Sequence, residues 1–173
     1  MVVVIEGCYT PVMKKVLFDA ANYFGTCLFK KALANNIKVS IVVSSNMREH
    51  GMCGVADYNS SNKPRSFDIE VRKKKSIKSM VQTLAHEMVH VKQFATNEMN
   101  EMDSTWKGKR VNLRKLTYIE LPWEAEAFER EHELLSKYTM ASNIDFKNLD
   151  AFKPMFELPE EPAEVQLELD FGP

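Results

Sequence analysis

Apolar residues recur at helical intervals in two long parts of the chain. The first part is Pro11 to Asn35, and the second runs from about Ser76 to Asn97. Apolar positions three or four residues apart form one face of a helix. Pro122 indicates the start of a third helix, because proline is favoured at the first helical position. We therefore expect three long helices.

Strand patterns occupy the segments between the first two helices. Ile37 to Val43 is dense in β-branched residues and predicts a buried strand, whereas Gly51 to Tyr58 is a weaker strand pattern. Ser66 to Arg72 alternates apolar and charged residues, as a half-buried strand does, and the turn-forming residues 59–64 before it suggest a hairpin. This order predicts an α+β fold, with a small antiparallel or mixed sheet packed against long helices.

The composition is that of an ordinary soluble globular protein, with 173 residues, 45% of them hydrophobic and 27% charged. No apolar run approaches the roughly 20 residues that cross a bilayer. The start, Met1 to Cys8, lacks the basic residues of a signal peptide. Cys8, Cys27 and Cys53 are widely spaced, which argues against a disulfide framework or a thiolate zinc site. We expect a cytoplasmic protein without a membrane partner.

Charge and proline are distributed unevenly along the chain. Residues 154–173 hold six acidic residues, no lysine or arginine, and four of the seven prolines. Residues 1–153 hold 23 basic and 18 acidic residues, although the whole chain has a net charge of -1. The sequence therefore predicts one domain, residues 1–153, followed by a flexible acidic tail, residues 154–173.

The second helix contains the pattern His-Glu-x-x-His, at His86, Glu87 and His90. Histidines four residues apart lie one turn apart on the same helical face, so both imidazoles can reach one zinc ion. Glu87 points about 100° away from His86 and can contact a metal-bound water as a general base. The pattern predicts a catalytic zinc site.

The surroundings of the two histidines on the helix are polar. A helical projection places five polar residues within about 60° of His86: Ser79, Thr83, His90, Gln93 and Asn97. The opposite face is apolar and is formed by Ile77, Val81, Leu84, Met88, Val91 and Ala95. We expect the apolar face to pack on the sheet and the polar face to contact solvent.

A tetrahedral catalytic zinc site needs a third protein ligand besides two histidines and a water. Glu124 lies on the mostly apolar face of the third helix, whereas Glu126 lies on an entirely charged face that should stay in water. Glu124 is therefore the predicted third ligand, because an unpaired buried carboxylate is costly. Glu131, two turns on, could orient a ligand histidine or form an ion pair elsewhere. His132 is the alternative third ligand.

The combination of His86-Glu87-Met88-Val89-His90 with Glu124-Ala125-Glu126-Ala127 resembles the gluzincin type of zinc metallopeptidase. The segment Trp106-Lys107-Gly108, followed by Leu121-Pro122-Trp123-Glu124, looks like that of small SprT-like or ImmA-like metallopeptidases, which are often encoded by phages. The resemblance spans roughly Ser66 to Tyr138. The resemblance implies a zincin-like fold, zinc held by His86, His90 and Glu124, and Glu87 as the base. It also implies a substrate strand along an exposed sheet edge such as Ser66 to Arg72, and the host cytoplasm as the location.

Two residues depart from the patterns of these families. SprT-like proteins usually supply a third histidine where this chain has Glu124, and some gluzincin families place Asp or Asn at the position of Phe128. These departures affect the assignment to a subfamily more than the prediction of a metal site. A tetrahedral oxyanion would also need a hydrogen-bond donor, for which the candidates are Tyr118, Arg130 and Tyr138.

The sequence thus predicts a zinc metallopeptidase that hydrolyses proteins or peptides. The alternative is a non-catalytic metal-containing module that binds a protein or DNA partner. Arg72 to Lys75, with Lys78, is most simply a solvated turn, and a DNA-binding surface is the other interpretation. Gln166 to Phe171 resembles short peptides that bind bacterial sliding clamps, although an acidic tail without a partner explains it equally simply.

Overall fold

The fold is α+β and is built around a small mixed sheet. The computed structural model describes residues 1–7, 10–57, 63–74, 76–100 and 104–151, with backbone only for residues 150 and 151. Its main sheet has four strands in the spatial order β1-β2-β4-β3. The strands are β1 (Val2–Glu6), β2 (Lys38–Ser44), β3 (Gly51–Val55) and β4 (Ser66–Arg72). The pairs β1–β2 and β2–β4 are parallel, and β3 runs antiparallel to β4.

Among the described residues five helices surround or follow the sheet: α1 (Pro11–Leu28), α2 (Lys31–Ala34), α3 (Ile77–Ala95), α4 (Pro122–Ser142) and α5 (Phe146–Ala151). Local chemistry explains the start of α3, where the Ser76 side chain accepts a hydrogen bond from the backbone N–H of Ser79. As predicted, α4 begins at Pro122. It ends at Asn143, which has the left-handed φ of 51° that often follows a helix.

The first predicted helix is divided. The backbone becomes extended at Phe29, so α1 ends at Leu28 and the short α2 follows. The strand β1 was not predicted. The prediction of a strand near Gly51 is confirmed as β3, and so is its antiparallel pairing with β4.

The core lies between one face of the sheet and the helices α1 and α3. Alternate residues of the two central strands are at most 2% exposed, which is the expected result of period-two side-chain orientation. They are Val39, Ile41 and Val43 of β2 and Phe67, Ile69 and Val71 of β4. The opposite face of the sheet is more open, and Val2, Val4 and Met52 are about half exposed.

The expectation that Ser66 to Arg72 forms a sheet edge is wrong. This strand is β4, which hydrogen-bonds to β2 on one side and to β3 on the other. The edge beside α3 is β3. The alternating pattern of β4 arises because one face of the sheet is open to solvent, and such a pattern is the same in an inner strand and in an edge strand.

Between α3 and α4 the chain forms a small antiparallel sheet of three two-residue strands. They are β5 (Met99–Asn100), β6 (Thr105–Trp106) and β7 (Lys109–Arg110). The turn between β6 and β7 has positive φ at Lys107 and Gly108, 48° and 77°, as tight hairpin turns require. Two 3-10 turns, Leu113–Lys115 and Tyr118–Glu120, then lead to α4.

The predicted acidic tail and the clamp-like segment Gln166 to Phe171 lie outside the described residues. Within the part of the chain that the structure describes, no helix has the length and apolar character needed to span a bilayer.

Candidate metal centre

The central part of the polar face of α3 is buried, contrary to the expectation that this face contacts solvent, whereas Ser79 is half-buried and Asn97 is exposed. Thr83, His86, His90 and Gln93 are each at most 8% exposed. The reason is α4, which packs against α3 over this face and contributes its own polar groups to the contact. The two histidines therefore lie between two helices, where their polar atoms need partners from the protein or a ligand.

The inward face of α4 carries the predicted carboxylates. Glu124 is 5% exposed and Glu131 is 7% exposed. The expectation that Glu126 stays in water is wrong. It hydrogen-bonds to Gln93, and its side chain is only 20% exposed. His132 has a side chain 71% exposed and lies outside the cluster that the structure forms at His86. The structure thus brings Glu124 to the histidines and leaves His132 at the surface.

Potential ligand atoms of three residues converge at the contact of α3 and α4. His86 Nε2 lies 3.2 Å from His90 Nε2 and 3.1 Å from Glu124 Oε2. His90 Nε2 lies 3.5 Å from Glu124 Oε1. Ligand atoms about 2.0–2.1 Å from a tetrahedral zinc ion lie about 3.3 Å apart. The buried group His86, His90 and Glu124 could therefore hold a metal ion, and its spacing fits zinc.

The outer nitrogens of both rings have acceptor partners that orient the rings. His86 Nδ1 lies 3.0 Å from Glu131 Oε2, and His90 Nδ1 lies 2.8 Å from Gln93 Oε1. Because a carboxylate and an amide oxygen only accept, both Nδ1 atoms carry hydrogen. In neutral rings both Nε2 atoms then present lone pairs to each other and to Glu124. Three acceptors that face one another require a cation between them, either a metal ion or a proton.

Gln93 connects His90 to α4. Its side chain is fully buried, and its Nε2 donates to the backbone oxygen of Trp123 at 2.9 Å and to Glu126 Oε2 at 2.9 Å. Glu126 in turn is paired with Lys92 at 3.4 Å. Sequence reasoning placed Gln93 on the polar face but gave it no role. Its position three residues after His90, which brings the two side chains together, was the available signal.

His86 and Glu124 shift each other's pKa. Burial alone would lower the pKa of His86, but hydrogen bonds to Glu124 and Glu131 raise it to about 9. Burial would raise the pKa of Glu124, and its hydrogen bonds to His86 and His90 instead lower it to about 2. The metal-free centre therefore holds a proton on His86, which the binding of a metal must displace.

Glu87 lies beside the three ligands and is 5% exposed. Burial raises the pKa of Glu87 to about 7, which suits a group that takes up and releases a proton near neutral pH. Its carboxylate packs against Gly51 at the start of β3. A β-carbon at Gly51 would overlap the Glu87 carboxylate and the Thr83 methyl group. Gly51 therefore permits this close approach, and its role was missed because a missing side chain leaves no pattern.

A cleft of about 290 Å³ opens beside the centre. Glu87, His86 and Glu131 line it together with Tyr118 and Phe128. Partial burial and the neighbouring Glu124 carboxylate raise the pKa of the Tyr118 hydroxyl. Phe128, which is 39% exposed, places its ring 4.7 Å from the His86 ring, measured between centroids.

The structure separates the three candidates for the oxyanion donor. Tyr118 lines the cleft, whereas Arg130 is not part of its lining. The Tyr138 hydroxyl donates to the backbone oxygen of Val16 in the core, and Tyr138 is 3% exposed. Tyr118 is therefore the candidate with access to a bound substrate.

Comparison of the chain with protein-family models, with curated proteins and with solved structures finds no significant match. The interpretation of the centre therefore depends on its own geometry.

Proposed function

We propose that the chain is a zinc-dependent metallopeptidase with a zincin-like fold. The observation that carries the proposal is the convergence of the lone pairs of His86, His90 and Glu124 at distances suited to one zinc ion. Two histidines and one glutamate are a donor set of catalytic zinc sites. The base candidate Glu87 and the ligand candidate His86 both line the cleft.

Zinc, when bound, polarises a substrate carbonyl and makes a water molecule acidic enough to lose a proton near pH 7. Glu87 accepts this proton and later delivers it to the leaving amine of the cleaved peptide. In the metal-free chain burial raises the pKa of Glu87 to about 7, so neither protonation state is strongly disfavoured there at neutral pH. Tyr118 donates a hydrogen bond to the substrate oxygen that becomes negatively charged.

The second hypothesis is the non-catalytic module in which the metal is structural. Structural zinc sites are closed by four protein ligands, whereas catalytic sites keep one position open. Within the described residues the cluster consists of three ligands, and a cleft lies beside it. A structural site also has no use for a carboxylate with a pKa near 7. These features favour the enzyme.

The first experiment measures zinc per chain after loading and dialysis. We expect one zinc ion per chain, and its loss in Glu124→Gln, which keeps the shape of the side chain but removes its charge. Glu129→Gln on the exposed face of the same helix is the matched control and should retain the ion. An unmodified chain that binds no zinc would refute the proposal.

The second experiment tests hydrolysis. The zinc-loaded chain is incubated with a proteome-derived peptide mixture, and new peptide termini are identified by mass spectrometry. Glu87→Gln should keep zinc and lose cleavage by at least about 100-fold, the usual contribution of a general base. Zinc binding with no cleavage by the unmodified chain would favour the non-catalytic module. Equal cleavage by Glu87→Gln would refute the assigned base.

A further inference from the structure

One lysine of the basic run at the start of α3 lies in the cleft. Lys73 and Lys78 are exposed, in agreement with the interpretation of this run as a solvated turn. Lys74 differs, because it is partly buried and lines the cleft together with Gln82 and Glu87. Its position on the loop between β4 and α3 directs the ammonium group over the first turns of α3 rather than into solvent.

The ammonium group of Lys74 has a neutral partner. Its Nζ donates to Thr83 Oγ1 at 3.1 Å, and Thr83 Oγ1 in turn donates to the backbone oxygen of Ser79. Among the described residues no carboxylate lies within ion-pair distance of Lys74. By contrast, Lys92 is bonded to Glu98 and Glu126. Lys74 thus carries a charge that the described protein groups do not neutralise.

Glu131, the carboxylate whose charge acts on Lys74, is already engaged. Glu131 accepts hydrogen bonds from Gln82 at 2.8 Å and from His86 at 3.0 Å, so its oxygens are directed to α3. Lys74 is partly buried at the cleft, and this burial together with the neighbouring Arg72 lowers its pKa. A partly desolvated cation gains more from an incoming anion than a fully hydrated one does.

Thr83 places Lys74 near the reacting groups. It precedes Glu87 by one helical turn, and its methyl group adjoins the same Gly51 that packs against the Glu87 carboxylate. A substrate peptide bond at the metal centre would therefore have Lys74 beside one of its flanking residues. A single ammonium group is a point charge with three donors, which suits one carboxylate.

We propose that Lys74 forms a substrate-binding subsite that selects peptides with a carboxylate next to the scissile bond. The carboxylate belongs either to an Asp or Glu side chain or to the C-terminus of the substrate. This inference rests on the proposed peptidase function. Glu49, which is exposed and also lines the cleft, opposes the subsite by charge repulsion.

Peptide capture tests the subsite without relying on turnover. The zinc-loaded full chain with Glu87→Gln is immobilised and equilibrated with degenerate hexapeptides in four pools. Two pools contain Asp and Glu and two contain Asn and Gln instead, and each composition is prepared with a free or an amidated C-terminus. Retained peptides are counted by mass spectrometry. Lys74→Met, which keeps the aliphatic stem, and Lys78→Met are added to the same background.

We expect about tenfold or greater enrichment of the carboxylate-containing peptides, as a charge-assisted hydrogen bond gives. Lys74→Met should abolish the enrichment, and Lys78→Met should preserve it. Enrichment that survives amidation identifies a side-chain carboxylate, and enrichment lost on amidation identifies the C-terminus. Glu49→Gln should leave the enrichment equal or greater.

Two outcomes would overturn the subsite. One is peptide retention without carboxylate preference, or with a preference that Lys74→Met does not change. The other is the absence of any retention by the zinc-loaded chain. Cleavage of the peptide mixture by the unmodified chain is scored separately, so a peptidase without this preference is distinguished from a chain that is no peptidase.

Discussion

Zinc affinity should depend on pH in a way that reports the proton on His86. Metal binding needs His86 neutral, and in the metal-free chain the pKa of this residue is raised to about 9 by Glu124 and Glu131 against the opposing effect of burial. Below this pKa the proton competes with zinc. Affinity should therefore rise about tenfold per pH unit until about pH 9 and then level off.

The reduction of zinc affinity at neutral pH follows from the pKa of His86. A group with a pKa of about 9 is neutral in about one chain in 100 at pH 7, so the apparent affinity at pH 7 is about 100-fold below its plateau. An unperturbed histidine, with a pKa of about 6.5, would reach its plateau near neutrality instead. Ionisation of Glu87, which has a pKa of about 7, also increases zinc affinity as the pH rises. Measuring the affinity in the Glu87→Gln variant removes this contribution.

The assay is competition with a chelator of known proton affinity, between about pH 6 and about pH 10. Glu131→Gln removes one of the two carboxylates that hold the proton, so its plateau should begin at lower pH. Glu133→Gln, an exposed change on the same helix, should not move it. An affinity that stops rising near pH 7 in the chain with Glu131 intact would refute the reasoning.

Three further changes have defined outcomes. Gly51→Ala should displace the Glu87 carboxylate and lower kcat at least about tenfold while zinc stays bound; unchanged kcat would contradict the close approach. Gln93→Leu should weaken zinc binding about 10- to 100-fold in chelator competition, because His90 loses its orienting acceptor; unchanged affinity would remove that role. Leu84→Ala should lower the free energy of unfolding by about 2–5 kcal/mol in urea titration, since Leu84 is fully buried, and a loss under 1 kcal/mol would contradict this.

The positions of the metal-site residues were accessible from sequence because helical spacing is local. Four residues make about one turn, so His86 and His90 share a face irrespective of the rest of the fold. The same geometry placed Glu124 on the inward face of α4, which the structure confirms, whereas Glu126, expected in water, is partly buried against Gln93. The strand pairing of β3 with β4 was also accessible, because the two strands follow each other in the chain with only ten residues between them.

Features that depend on contacts between residues distant in the chain could not be predicted from the sequence. Ser66 to Arg72 has the same alternation whether it is an inner strand or an edge, because its neighbours in the sheet are decided by pairing with β2. The polar face of α3 looked solvated because nothing in its own sequence indicates that α4 covers it. Glu131 and His86 are 45 residues apart in the chain. The helical position of Glu131 suggested a contact with a ligand histidine, but it could not distinguish this contact from an ion pair elsewhere.

The two halves of α4 are held in different ways, and this difference affects how metal can be exchanged. The C-terminal half is fixed by apolar packing, where Leu134 is 1% exposed and the Tyr138 ring lies 5.8 Å from that of Phe24. The N-terminal half contacts α3 through polar groups, and Glu124 is brought to His86 across 38 residues of chain. Opening of this half breaks hydrogen bonds that water can replace and leaves the apolar core closed. We therefore expect a metal ion bound at this centre to exchange through a local opening of this half of α4, without exposure of the apolar core.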